Sequence, residues 1–239
     1  MSNHTHYVTH VDILGFSALV SRDALLAWEA LSSLASVRDY VRNIELEFAD
    51  TGERASIPDR IHSVMFSDTI VLFTKSDTLL DLRLIVLATT ELLHKAMFAC
   101  VPVRAGIAHG TFFFNIAESM YAGPALVEAY TIGEQAQWLG IVTTQHVYEH
   151  AILANMKSGT SDVVIPAAIP INEGTLSGYA VNWPTVFAHD FKAKPPIPSE
   201  LFYSAFARRF GPYNILPPRV RAKYENTVAY INRILVPQV

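Results

Sequence analysis

Two apolar, β-rich runs, Arg60 to Phe66 and Thr69 to Thr74, are separated by only Ser67-Asp68. A two-residue polar break between such runs reads as a tight antiparallel hairpin with a carboxylate at its tip. That hairpin fixes how its neighbours are read. Tyr7 to Leu14 is a buried strand that ends at Gly15, and Ser21 to Phe48 is a long amphipathic helix. After the hairpin, Leu79 to Cys100 is a helix, and Val103 to Phe114, opened by Pro102, is a strand whose Gly106 and Gly110 suggest a close backbone approach. The order is βαββαβ, a ferredoxin-like α+β arrangement with an antiparallel sheet and two helices on one face.

Beyond this unit, Gly123 to Leu139 and Gln145 to Met156 read as further helices. From Ser158 onward Pro, Gly and Ser become frequent among short strand-like runs, and Val220 to Leu235 reads as a closing amphipathic helix. The expected organisation is a core over residues 1–157 and a C-terminal extension over 158–239, packed on that core.

Composition narrows the function. Half of the 239 residues are apolar and the formal net charge is −4, which suits a full-sized core and disfavours a nucleic-acid partner. The single cysteine, Cys100, fits a reducing compartment. The first ten residues lack the charged and apolar regions of a secretory signal. Asp81, Arg83, Glu91, His94 and Lys95 break the apolar run from Leu79 into a polar stripe, so no membrane insertion is expected. The reading is a cytoplasmic protein.

Asp12, near the end of the first strand, and Asp68, at the hairpin tip, are both flanked by apolar runs. Ionised carboxylates in such settings ask for a cation or for hydrogen-bond donors. Either alone has an ordinary alternative, Asp68 as a turn residue and Asp12 as a helix cap. Arg104, inside a strand, calls for a carboxylate or phosphate partner, and a salt bridge that fixes the sheet is as good a reading as a substrate contact. His109 reads as a structural histidine. His4, His6 and His10 form a cluster better explained as terminal polar residues than as a metal site. The sequence has no G-x-x-x-x-G-K-[ST], no G-x-G-x-x-G after a strand and no H-E-x-x-H.

Asp12-Ile-Leu-Gly-Phe-Ser, the Asp of Phe66-Ser-Asp68-Thr, and Arg104-Ala-Gly-Ile-Ala-His-Gly110 together resemble, in order, the motifs of class III nucleotidyl cyclases. The resemblance covers residues 7–140. It implies an enzyme that closes a nucleoside triphosphate into a 3′,5′-cyclic nucleotide with two divalent ions, Mn²⁺ or Mg²⁺, bridged by Asp12 and Asp68 with the Ile13 carbonyl as a further ligand. Gly15, Phe16 and Ser17 would cradle the β and γ phosphates, and Arg104 would be a substrate contact. A homodimer would build each site from the metal carboxylates of one subunit and the segment from Tyr121 to Tyr130 of the other.

The sequence departs from that pattern in the base and ribose contacts. Val64 stands where these enzymes place a purine-contacting Lys or Glu, and Val127 and Thr131 stand where they place an Asn and an Arg. The Gly-Pro-Ala-Leu-Val-Glu-Ala-Tyr segment and the Pro-rich extension look like the pyrimidine cyclases of bacterial anti-phage (Pycsar) systems. Those resemble homodimeric class III cyclases and pass cUMP or cCMP to a separate effector. The resemblance places Tyr121, Met120, Phe66 and Arg60 near the base pocket, with Arg60 a donor to a uracil carbonyl; packing is the ordinary reading of Met120 and Phe66. The expectation is a uridylate cyclase, with a cytidylate cyclase, a purine cyclase and a non-catalytic nucleotide-binding module as alternatives.

Overall fold

A computed structural model describes residues 4–47, 52, 54–186 and 195–236. The chain begins with β1 (Thr5–Ile13), α1 (Phe16–Arg22) and α2 (Ala24–Arg42), then the small strands β2 (Glu45–Glu47) and β3 (Arg54–Ser56) and the turn-like α3 (Ile57–Arg60). The hairpin is β4 (Ile61–Phe66) and β5 (Thr69–Thr74), followed by α4 (Leu79–Phe98) and β6 (Val103–Thr111). A short hairpin, β7 (Phe113–Asn115) and β8 (Met120–Ala122), leads to α5 (Pro124–Gln135), β9 (Ile141–Thr143) and α6 (Gln145–Leu153). The rest is β10 (Lys157–Ser158), β11 (Ser161–Asp162), β12 (Val164–Ile171), β13 (Gly174–Val181), α7 (Trp183–Val186), α8 (Ser199–Tyr203), α9 (Ala207–Phe210) and α10 (Pro218–Leu235).

Among the described residues the main sheet has seven strands in the order β12-β13-β9-β6-β1-β5-β4. Its β6-β1-β5-β4 part is wholly antiparallel, and with α2 and α4 it is the βαββαβ unit expected from the sequence. The extension is less separate than its composition suggested. The 157/158 boundary falls inside the β10-β11 hairpin, and β12 and β13 join the same sheet through β9, which runs parallel to β6.

Local chemistry explains the boundaries. The helix expected from Ser21 to Phe48 is broken at Asp23, whose carboxylate accepts from the Leu25 and Leu26 N–H groups and so starts α2 afresh. That helix ends at Arg42, Glu45–Glu47 is a strand, and Phe48 lies outside the described residues. Thr78 and Asp81 form a capping box at the start of α4. The helix expected to reach Leu139 stops at Gln135, because the following residues turn extended and hold α10 instead.

Alternation sends the odd and even residues of β1 to opposite faces. Tyr7, Val11 and Ile13 enter the main core with α2 and α4, where Thr9 Oγ1 meets Thr89 Oγ1 at 3.0 Å. Val8 packs with Phe73, Phe112 and Ala125 on the other face, the one covered by α5. The seat of α5 is made by missing side chains. A Cβ on Gly106 would collide with the Ala129 carbonyl, and Gly133 lies against the backbone of Ala105 and Gly106.

Candidate active site

Asp12 and Asp68 are neighbours because the hairpin lies beside the end of β1. Asp12 pairs with Thr69 in register, and the Ile13 N–H donates to the Asp68 carbonyl at 3.3 Å. The turn is two residues long, with Phe66 paired to Thr69, and Ser67 at its first position has φ 53°. Such a turn favours glycine at that position, so serine there stores a little backbone strain beside Asp68.

On the other side of β1, Asp12 faces Arg104 of β6. The guanidinium reaches Asp12 Oδ2 at 3.3 Å and the Glu134 carboxylate from the last turn of α5, and donates to the main-chain oxygens of Glu134 at 2.8 Å and Ala136 at 3.3 Å. The sheet-fixing ion pair envisaged for Arg104 is therefore formed, while its buried Nε has no hydrogen-bond partner among the described residues.

Arg104 is shared between two carboxylates. Burial pushes the Asp12 carboxyl up to about 6, and the charges of Glu134 and Asp68 act in the same direction against the opposing pull of Arg104. Glu134 was not singled out in the sequence. A single acid in an amphipathic helix carries no signal; the usable clue was Arg104, whose strand position demanded a partner from elsewhere.

Gly15, with φ 75°, turns the chain from β1 into α1 just beyond the carboxylates. Phe16 is buried and Ser17 exposed. Leu14 packs with Leu139, Tyr203, Phe206, Leu216 and Tyr224, so the C-terminal segment holds this turn from behind.

Of the candidate base contacts, Phe66 lies beside the turn, and Arg60 and Tyr121 lie elsewhere in the subunit. Arg60 ends α3, at the opposite end of β4 from Asp68, and its guanidinium pairs at 3.3 Å with the fully buried Asp81. A donor committed to a buried carboxylate is poorly placed to serve a base as well. Tyr121 packs its ring 5.7 Å from Phe73, beyond the far end of β5 from the turn. Val64 is half-buried in the same cluster. Phe66, beside the turn, is 85% exposed, and Val127 is 63% exposed. Thr131 spends its hydroxyl on the Val127 carbonyl, 2.7 Å away.

The histidines separate. His6 is buried against the Thr74 carbonyl at 2.8 Å, and His10 lies edge-on to Tyr130 with ring centroids 5.1 Å apart. Among the described residues no three His, Cys, Asp or Glu side chains are grouped to hold a metal ion. Asp12, its neighbour Asp68 and the Ile13 carbonyl would offer an all-oxygen donor set beside a guanidinium already shared by two carboxylates. That fits a hard divalent cation which takes one or two carboxylates from the protein and completes its shell with water and phosphate.

No family profile matches this chain, and no curated protein matches its sequence. Solved structures do match its fold. The catalytic core of a rhodopsin-guanylyl cyclase with converted specificity, solved in complex with ATPαS, is 13% identical with a TM-score of 0.52, over 74% of this chain and 94% of that one. A bacterial light-regulated adenylyl cyclase is 10% identical with a TM-score of 0.50, over 86% of this chain and 98% of that one. The expected α+β architecture is therefore the one these cyclase structures have. No helix among the described residues is long and apolar enough to cross a membrane.

Proposed function

We propose that this chain is a pyrimidine nucleotidyl cyclase that converts UTP to 3′,5′-cyclic UMP and pyrophosphate. The observation that carries the reading is the meeting of Asp12 and Asp68 at the end of the central strand, with the Asp12 carboxyl held up by burial and by neighbouring acids. The fold supports it, since solved nucleotidyl cyclases have the same architecture.

In the reaction the ribose 3′ oxygen bonds to the α-phosphorus, the bond to the β-phosphate bridging oxygen breaks, and pyrophosphate leaves with that electron pair while the hydroxyl proton passes to solvent. Two divalent ions, Mn²⁺ or Mg²⁺, would supply activation of the hydroxyl and neutralisation of the phosphate charge when bound. Asp12, Asp68 and the Ile13 carbonyl would hold them. Arg104 orients a phosphate while it stays anchored on Glu134, and the Gly15-Phe16-Ser17 turn offers main-chain N–H groups to the distal phosphates.

The pyrimidine preference rests on Val64, whose aliphatic side chain gives a purine edge nothing to pair with. Tyr121 is the better base contact, since Arg60 is tied to Asp81. The exposed apolar side chains of Phe66, Met120, Val127 and Tyr130 suit a two-fold homodimer in which the Tyr121 to Tyr130 segment serves the partner's carboxylates. As in the anti-phage systems it resembles, the product would act on a separate effector.

Val127 and Thr131 favour one rival, a nucleotide-binding module without turnover. Incubating the purified protein with each of the four ribonucleoside triphosphates and Mn²⁺, and identifying the products, decides between them. Cyclic UMP with pyrophosphate is expected; cyclic CMP as the main product moves the assignment to CTP. Equal turnover of ATP would end the pyrimidine reading, and bound nucleotide without pyrophosphate would establish the rival.

The dimer has its own test. Mixing inactive Asp68→Asn protein with protein inactivated by substitution in the 121–130 segment should restore about a quarter of wild-type activity, from half the dimers being mixed and each having one intact site. No recovery despite proven subunit exchange would put the whole site within one chain.

A further inference from the structure

The C-terminal helix is docked beside the carboxylate site by specific contacts. Asn226 Nδ2 donates to the Gln137 carbonyl at 2.9 Å, the Leu139 N–H donates to Thr227 Oγ1 at 2.8 Å, and the Tyr230 ring meets Trp138 with centroids 4.6 Å apart. The segment so gripped follows directly on Glu134 and Ala136, whose oxygens hold Arg104. Lys223 lies three and four residues before Asn226 and Thr227, on the same face of α10.

We propose that α10 completes the nucleotide site, with Lys223 contacting the phosphates of the bound triphosphate. This inference rests on the cyclase reading above. The side chain is partly buried, and among the described residues no carboxylate is ion-paired to it. Glu134 and Asp12, whose charges act on it, are already engaged by Arg104. Arg104 and Arg219 add positive charge from the same surroundings, and Arg219 is itself turned to Asn172 at 3.0 Å.

Burial, followed by the repulsion of Arg104 and Arg219, holds the Lys223 ammonium below the usual lysine range. The acids in reach are held by Arg104, so the ammonium has no ion-pair partner of its own among the described residues, and a lysine ammonium is a point charge suited to phosphate oxygens. The extension would then supply a positive group to the nucleotide from the same subunit that supplies Asp12 and Asp68.

The test is calorimetric binding of UTP, UMP and inorganic tripolyphosphate, with Ca²⁺ replacing the catalytic metal, to wild type and to Lys223→Ala, Lys223→Gln and Lys223→Arg. The neutral variants should bind UTP and tripolyphosphate about tenfold or more weakly, as expected for losing one charge-assisted hydrogen bond. Lys223→Arg should stay within about threefold of wild type and UMP binding should not change. Melting curves establish that each variant is folded, and Lys223→Gln, close to lysine in length, carries the comparison should the alanine variant be unstable. UTP affinity within twofold of wild type in a folded neutral variant overturns the role of Lys223 and leaves the cyclase reading standing. Wild type that binds none of UTP, CTP, ATP and GTP removes both.

Discussion

Tyr7 and His109 face each other across the pairing of β1 with β6, and five residues along the same two strands Asp12 faces Arg104. Both pairs are polar groups in a nearly dry sheet, and they are handled in opposite ways. At the first end, the Tyr7 hydroxyl and His150 Nδ1 are hydrogen-bonded at 2.8 Å, and the His109 ring lies 4.5 Å from Tyr7 and 4.8 Å from His150. Burial and the neighbouring His150 push His109 down to about 4, so it stays neutral at physiological pH. At the second end, two carboxylates share one guanidinium, the charge of Asp68 acts on Asp12 as well, and the Asp12 carboxyl is pushed up. Burial of a polar group therefore does not mark a site here. A site is where the fold leaves charge unbalanced for something outside the chain to balance.

The strongest way to break this contrast is to remove one polar group at each end. Asp12→Asn and Asp68→Asn should each lower cyclase activity by about 10³-fold or more while the protein stays folded, and the double variant should be no worse, because groups that act as a unit are not additive. Tyr7→Phe should leave activity within about threefold and cost about 1 kcal/mol through the lost hydrogen bond to His150, read as a fall in Tm of a few degrees. Activity within tenfold of wild type in either Asp variant would mean that the carboxylate end is structural too.

The two ends should also titrate in opposite directions. The Asp12 carboxyl is higher in the folded protein than in the unfolded chain, so the metal-free fold holds the extra proton between about pH 4 and pH 6 and loses stability as pH rises through that window. Asp12→Asn should remove this loss and melt a few degrees above wild type at pH 8. His109 is depressed when folded, so its contribution is lost as pH falls from about 6.5 towards 4, when only the unfolded chain takes up the proton. His109→Gln should flatten that acid limb. Melting curves from pH 4 to 8 with chelator present give both slopes, and an unchanged slope in either variant removes that half of the comparison.

The smallest effect concerns the turn. Ser67→Gly relieves the positive φ and should stabilise the fold by a few tenths of a kcal/mol to about 1 kcal/mol, while lowering kcat a few-fold through a less fixed Asp68. Higher kcat in that variant would show that the strain serves no positioning role.

How much of this was legible depended on the range of the interaction. The hairpin, the βαββαβ order and the carboxylates at its two ends follow from short-range pattern, because strand periodicity and a two-residue break are local. Asp23 was present in the sequence, but a continuous apolar stripe outweighed it, and only its capping bonds to Leu25 and Leu26 end the run. Glu134 and the pairing of β13 with β9 depend on contacts between distant segments, and no local pattern announces either. Arg60 misled because its partner, Asp81, read as part of a helix's polar stripe when it is the buried half of a capping box.

Gly106 has a consequence for mutational scanning of this protein. Its hydrogen is all that fits between β6 and the Ala129 carbonyl, so any side chain there lifts α5 and carries Glu134 away from Arg104 without altering a single site residue. A scan scored on activity alone would place Gly106, Ala129 and Gly133 beside Asp12 and Asp68. Scored a second time on abundance or protease resistance, the set divides: seating positions fail both screens, and charge-bearing positions fail only the first.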